Sequence, residues 1–309
     1  MNVLTVTLNP CIDKTVTVSD FEKGKTNRTL SVRSDIGGKG INVSRILYEF
    51  GVDTTAAGIL AGDRGRYIEK ALKESGIKTC FSFTDGDVRT NMKILDVTDG
   101  TMTEINERGF AAGNAYALLL DELEVLLPNF DIAVISGSIP SDLSSSVYAE
   151  LISLAKSKEV KAILDADGML FKEGSKAKPF AVKPNLSELE NYVGRKLSTI
   201  DEIAAEAKKI TCKGIELVTV SLGSEGAVFV GEGVAVKTTP FPIEVKSAAA
   251  AGDSMVGALI AAMDRGMSFI ETAQLMTAAG TVTASKEGTT VATASEVFES
   301  YKRIKYEIL

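Results

Sequence analysis

Histidine is absent from all 309 residues. That excludes a Ser-His-Asp triad, a Cys-His pair and any zinc site with an imidazole ligand. Cysteine is scarce: Cys11, Cys80 and Cys212 lie far apart with no C-x-x-C spacing. A four-thiolate zinc site and a redox pair are therefore excluded as well. Any general base must be Asp, Glu, Lys, Tyr or Cys. An odd, sparse set of cysteines suits a reducing compartment.

Long apolar runs are also lacking. The most apolar window, residues 248–263, contains Asp253 and is shorter than a membrane span. The N-terminal stretch Val3-Leu4-Thr5-Val6-Thr7-Leu8 has no basic flank and stops at Asn9-Pro10, which reads as a strand rather than a signal peptide. A cytoplasmic location is expected. Excess positive charge is missing too: 34 Lys+Arg stand against 41 Asp+Glu, for a net charge of −7. Such a chain does not coat nucleic acid or an anionic membrane as a whole. To bind an anion it must gather basic residues locally.

What is present is ordinary for a globular protein with a sizeable core, 45% hydrophobic and 24% charged. Short apolar runs read as strands over 3–8, 54–59, 78–83, 132–136, 161–165, 180–182 and 217–221. Helical patterns fall over 41–50, 64–75, 115–127, 144–156, 187–193, 200–210, 254–265, 270–285 and 295–305. This alternation predicts an α/β fold: a mostly parallel sheet covered by helices on both faces. There are no internal repeats, low-complexity tracts or long linkers, so a single domain over 1–309 is expected.

Two stretches break the rhythm. Residues 12–36 and 88–107 carry period-2 segments, and Asp99-Gly100 suits a hairpin turn between two of them. They predict one small sheet, built from two insertions and projecting from the main body.

Four stretches carry candidate chemistry. In Asp35-Ile36-Gly37-Gly38-Lys39-Gly40-Ile41-Asn42, glycines before a helix let a ligand approach free backbone N–H groups, with a Lys and an Asn alongside. A plain tight turn is the competing reading. In Ala250-Ala251-Gly252-Asp253-Ser254, small residues precede an acid at a helix start, which makes an anion hole with a base beside it, or simply an Asp N-cap. Lys183-Pro184-Asn185-Leu186-Ser187-Glu188 places an amide and a carboxylate three apart, either for hydrated Mg2+ or as a capping box. Ser221-Leu222-Gly223-Ser224-Glu225-Gly226 ends a strand in a Gly-bearing turn, suited to a nucleotide edge or to an ordinary hairpin.

Taken in this order, and with Asn9-Pro10-Cys11-Ile12-Asp13 before them, these stretches resemble the signatures of the ribokinase-like, PfkB-type carbohydrate kinases. The resemblance spans nearly the whole chain. Within the family, Thr7-Leu8-Asn9-Pro10, the segment 89–94 and Thr103-Glu104-Ile105-Asn106-Glu107 are most similar to the sugar-phosphate branch, meaning 1-phosphofructokinases and tagatose-6-phosphate kinases, and the last two favour the former.

The resemblance implies a three-layer α/β/α fold with a small β-sheet lid, and ATP and Mg2+ as cofactors. It implies that Asp253 is the general base, with the N–H groups of Ala251 and Gly252 beside it, preceded by Ala250. Sugar-phosphate binding is implied for Asp13, Gly37, Gly38, Lys39, Asn42, Arg89 and Ser138, with Lys25 and Arg28 on the lid. Nucleotide binding is implied for Lys183, Asn185, Ser221, Gly223, Gly226 and Ala250, and Mg2+ contact through water for Glu188. The expected reaction is phosphorylation of fructose 1-phosphate on its 6-hydroxyl. Tagatose-6-phosphate kinase and 6-phosphofructokinase activities are the alternatives, and an impaired sugar-phosphate- and nucleotide-binding protein is the reading outside the class. The lid is expected to pair with a second subunit.

Two departures stand out. The family loop begins with Gly where this chain has Ala250, and Glu107-Arg108-Gly109-Phe110 replaces the usual Glu-Pro-Gly-Pro. A left-handed conformation at Ala250 would cost about 1–2 kcal/mol.

Overall fold

The computed structural model describes all 309 residues. In chain order, the first part runs β1 (Asn2–Thr7), β2 (Cys11–Val18), β3 (Ser31–Gly37), α1 (Lys39–Glu49), β4 (Asp53–Ala61), α2 (Gly62–Glu74), β5 (Lys78–Thr84), β6 (Arg89–Asp96), β7 (Met102–Asn106) and α3 (Ala115–Leu126). The middle continues with β8 (Ile132–Ser136), α4 (Val147–Ser157), β9 (Lys161–Asp165), α5 (Gly168–Lys176), β10 (Ala181–Val182), α6 (Leu186–Val193), α7 (Ile200–Thr211) and β11 (Leu217–Ser221). The last part holds β12 (Ala227–Gly231), β13 (Val234–Thr239), α8 (Ala251–Asp264), α9 (Phe269–Ala284), α10 (Ala294–Ser300) and β14 (Lys305–Ile308).

Ten strands form the main sheet, in the order β14-β13-β12-β11-β10-β9-β8-β1-β4-β5. From β11 to β5 every neighbouring pair is parallel. Parallel strands must be covered on both faces, and β1 and β8 are buried along nearly their whole length. Alternate residues feed two separate cores. Leu4, Val6, Ala133 and Ile135 join the core under α2 to α7, while Val3, Ile132 and Val134 join the core under α1, α8, α9 and α10. The result is the three-layer α/β/α architecture expected from the strand–helix alternation. No helix is long and apolar enough to cross a membrane.

Three edge strands depart from the expected pattern. β12, β13 and β14 extend the sheet antiparallel. The helix expected over 295–305 stops at Ser300, and the chain after it pairs with β13. That partner lies about 70 residues earlier, so nothing local in the sequence reveals the strand. Helix α5 also escaped the periodicity reading, because its nine residues hold only a short apolar patch between glycines.

A second sheet has the order β3-β2-β6-β7. It draws two strands from residues 11–37 and two from 89–106, joined by the parallel pair β2–β6. The hairpin between β6 and β7 turns at Asp99-Gly100, where Gly100 has φ +73°.

The carboxyl ends of β1, β8, β9, β10 and β11 and the amino ends of α1, α6 and α8 converge on one side of the main sheet. The chain reverses its winding direction between β1 and β8, and such a switch point leaves a crevice for ligands. The small sheet stands over that crevice.

Candidate active site

The crevice is a cleft of about 1000 Å3. Its floor is the start of α8. The helix begins at Ala251, and its N-cap is Ala250, in the left-handed region at φ 60° with no side-chain cap. Asp253 is therefore the third residue of the helix and not its cap, which removes the bland reading of this acid. Its carboxylate turns instead to accept a hydrogen bond from Asn42 Nδ2 at 2.8 Å. No carbonyl in the chain accepts from the Gly252 or Asp253 N–H, since the first turn of a helix lacks such partners. The start of α8 thus offers free donors beside a buried acid.

Lys183 closes this corner. A Cβ added to Gly252 would lie 3.0 Å from Lys183 Nζ, so the bare backbone at this glycine packs close against the ammonium. Lys183 and Lys39 share one buried carboxylate, Asp165 at the end of β9, at 3.3 and 2.9 Å. Burial works to raise the Asp165 pKa, but the two lysines outweigh it and hold the acid ionised below its ordinary range. Burial works to lower the Lys39 pKa, but Asp165, Asp253 and Glu188 outweigh it and keep the ammonium charged. Asp253 goes the other way. Burial, then the charge of Asp165, pushes it up to about 6, against the opposing pull of Lys39.

The nucleotide-side residues lie along the neighbouring strand ends. Asn185 and Glu188 form a complete capping box for α6: Glu188 N donates to Asn185 Oδ1 at 2.8 Å, and Asn185 N donates to Glu188 Oε2 at 2.8 Å. Both residues also line the cleft. Burial raises the Glu188 pKa. The Ser221 turn is a hairpin between β11 and β12, tied to Asn185 through a parallel bridge at Ser221. Gly226 has φ +94°, and a Cβ there would sit 2.1 Å from the Thr238 carbonyl oxygen, so this turn tolerates only glycine.

The far wall is the inner face of the small sheet. Register places Cys11 opposite Arg89 and Asp13 opposite Asn91, with Lys93 two residues further on β6 and Glu104 across from it. Arg89 donates to the Asn9 carbonyl at 3.2 Å and to Asn91 Oδ1 at 2.9 Å. Lys93 Nζ lies 3.7 Å from Asp13. Cys11 is buried here and its thiol is pushed up to about 12, mainly by that burial, so it stays protonated.

Most residues singled out in the sequence meet in this cleft: Asp13, Gly38, Lys39, Asn42, Arg89, Lys183, Asn185, Glu188, Ser221, Gly223, Gly226 and the run from Ala250 to Asp253. Four do not line it. Gly37 sits behind Asp13, where a Cβ would lie 2.7 Å from Asp13 Oδ2. Ser138 accepts a hydrogen bond from Asn9 Nδ2 at 3.3 Å and supports the wall from outside. Lys25 is exposed and paired with Glu22, and Arg28 is exposed on the same loop. A lone chain does not bring these two cations to the cleft, because they lie on the long connection between β2 and β3. Sequence reasoning missed Asp165, Asn91, Lys93 and Asn106. An acid ending an otherwise apolar strand, Ala162-Ile163-Leu164-Asp165, was a readable signal for the first. The others alternate on one face with Arg89 or lie on the strand beside it.

Comparison with known proteins agrees with this geometry. The model of the pfkB family carbohydrate kinases matches residues 6–295. A 1-phosphofructokinase of Rhodobacter capsulatus is 35% identical over 282 residues, covering 90% of this chain and 89% of that protein. A 1-phosphofructokinase of Bacillus subtilis is 35% identical, covering 92% and 93%. The solved structure of Escherichia coli phosphofructokinase-2 in complex with substrates and products superposes with a TM-score of 0.90 at 26% identity, covering 98% of this chain and 99% of that one. Fold, cleft and relatives together define a phosphotransferase whose acceptor is a sugar hydroxyl. The chain belongs to the pfkB family of carbohydrate kinases.

Proposed function

We propose that this chain transfers the γ-phosphoryl group of ATP to the 6-hydroxyl of fructose 1-phosphate, giving fructose 1,6-bisphosphate and ADP. One observation carries the reading. Across a single cleft, a buried carboxylate beside free helix N–H groups faces a wall bearing Arg89 and Lys93. Asp253 takes the hydroxyl proton as the bond to phosphorus forms, and the free N–H groups of Gly252 and Asp253 hold the transferring group, while the Ala251 N–H is engaged by the Ala248 carbonyl at 3.4 Å. Phosphoryl transfer asks mainly for positioning and charge stabilisation, so this kit suffices. Lys183 and Lys39 balance phosphate charge, with Asp165 fixing both ammonium groups. Asp13, Asn42 and Gly38 hold sugar hydroxyls, with Gly37 backing Asp13, and Arg89 holds the substrate phosphate. Asn185, Ser221, Gly223 and Gly226 line the nucleotide.

Mg2+ fits the donors present. No group of three or more acids or thiols makes a dedicated metal cage, and Mg2+ characteristically uses one or two carboxylates with phosphates and water. Glu188 has one oxygen in its capping box and one left over. Glu188 and Asn185 would hold the ion's water shell, and the ion would neutralise phosphate charge.

We read residues 12–36 and 88–107 as a lid on one kinase domain, and the lid as the dimer contact. Its outer face pairs Val16 with Val32 and Met92 with Ile105. Val16 is buried within the chain, but Val32 and Ile105 are 51% and 55% exposed. A cytoplasmic location goes with both substrates and with three unpaired cysteines.

The rival of an inactive binding protein rested on Ala250. That residue already holds the left-handed conformation that the loop uses, which favours a working kinase. A coupled ADP-release assay with fructose 1-phosphate, fructose 6-phosphate and tagatose 6-phosphate tests the reading. Turnover with the first should exceed the other two. Preference for tagatose 6-phosphate or fructose 6-phosphate would move the assignment, and ADP release from none would restore the binder.

A further inference from the structure

A second cleft, of about 610 Å3, opens on the opposite side of the molecule where α5, α6 and α7 end. Five lysines line it, Lys172, Lys176, Lys178, Lys209 and Lys213, against one carboxylate, Glu206. This concentration is out of keeping with a chain of net charge −7.

Lysines at helix C-termini often serve the helix dipole or a neighbouring acid. Two here do so: Lys176 pairs with Glu173 at 2.7 Å, and Lys209 with Glu206 at 3.0 Å. Glu206 is also taken by Arg195 at 2.9 Å, so it does not neutralise the rest. Lys172, Lys178 and Lys213 form no ion pair. The stem of Lys178 lies against Gly214, where a Cβ would come within 3.3 Å of it. Lys213 is braced on Tyr192, 5.2 Å above the ring centroid and donating to its hydroxyl at 3.2 Å. That leaves the Tyr192 hydroxyl proton for another acceptor.

An independent observation comes from Ser175. It lines the same cleft, is only 7% exposed, and its Oγ has no hydrogen-bond partner. A buried hydroxyl without a partner is uncommon and costs stability. An anion in the cleft would take the Tyr192 hydroxyl and the three unpaired ammonium groups as donors, and the Ser175 hydroxyl, closed to solvent in its present rotamer, would reach it by turning outward.

We infer that this cleft is a binding site for a compact phosphorylated anion carrying at least two negative charges, separate from the catalytic cleft. The two sites lie at opposite ends of α6: its first turn carries Glu188 in the catalytic cleft, and Tyr192 and Val193 end it in the lysine cleft.

Calorimetric titration with inorganic pyrophosphate, without Mg2+ and at fixed ionic strength, tests the site. The wild-type chain should show two classes of binding. Lys183→Ala should remove the class that belongs to the catalytic cleft. Lys172→Glu/Lys178→Glu should remove the other class and leave kcat unchanged. Ser175→Ala should weaken that second class about tenfold or more, as expected for a hydrogen bond to a charged group. If the double variant fails to fold, Lys172→Ala and Ser175→Ala carry the test singly. Two results overturn the inference: an unchanged isotherm in the cleft variants, or an equal loss in Lys70→Glu/Lys73→Glu on the distant helix α2, which would mean diffuse attraction only.

Discussion

The two sheets treat their side chains in opposite ways. The ten-stranded sheet hides both faces of its inner strands and puts chemistry only at strand ends, where Asp165, Lys183 and Ser221 emerge. The four-stranded sheet works through a face: Asp13, Arg89, Asn91 and Lys93 look into the cleft, while Val32 and Ile105 look out to solvent. A buried scaffold can hold charges such as Asp165 and Lys39 in fixed low-dielectric contact. An open sheet offers reach and choice of ligand but leaves apolar surface behind. Reactivity should therefore respond to changes in the large sheet and its helices, and substrate choice to changes in the small one.

The sharpest break between the two is expected at Asp253. Asp253→Asn should lower kcat by about 10²-fold or more, the low end for a positioned general base, with little change in either KM. Steady-state kinetics decide this, and an unchanged kcat would mean that another group takes the proton.

Arg89→Ala should do the reverse. A charge-assisted contact is worth about 1.5–3 kcal/mol, so KM for the sugar phosphate should rise about tenfold or more while KM for ATP holds. Equal effects on both substrates would erase the division of labour.

The outer face gives a smaller effect, read by light scattering. Val32→Glu/Ile105→Glu should shift a dimer to monomer at micromolar concentration, because each carboxylate would be buried without a partner in the contact. A wild-type chain that is already monomeric would contradict the dimer proposal.

The smallest effect concerns Ala250. Because its φ is 60°, Ala250→Gly should raise stability by about 1 kcal/mol through relief of the left-handed strain, with kcat unchanged. Denaturant unfolding measures it. A fall in stability would mean that the restriction alanine places on the unfolded chain outweighs the strain.

The main sheet was legible because strands buried on both faces, such as Ile132–Ser136, are continuous apolar runs, and amphipathic helices announce themselves by period. β14 was not, since its pairing depends on a partner distant in sequence. In the cleft, glycine turns and acids at helix starts gave away Asp253 and Lys39. The sequence could not show which way Asp253 points, or that Asn185 caps a helix while lining the cleft. Asp165 escaped because its importance lies in two lysines brought from residues 39 and 183. Lys25 and Arg28 are readable as basic residues on an insertion, but that a single chain leaves them outside the cleft is visible only in the fold.

The most direct test of the central claim is the stability of Asp253→Asn relative to wild type, measured against pH without substrates. Burial lifts this acid from its ordinary 3.8 to about 6, so ionised Asp253 opposes folding. At about 1.4 kcal/mol per pH unit, the cost reaches about 3 kcal/mol above pH 6 and disappears below about pH 4, where the acid is protonated in both folded and unfolded chains. The asparagine variant should therefore be the more stable protein at pH 8, and the gap should close as pH falls through 6 toward 4. Equal stability at every pH, or a wild-type advantage at pH 8, would contradict a buried carboxylate held ready as the base.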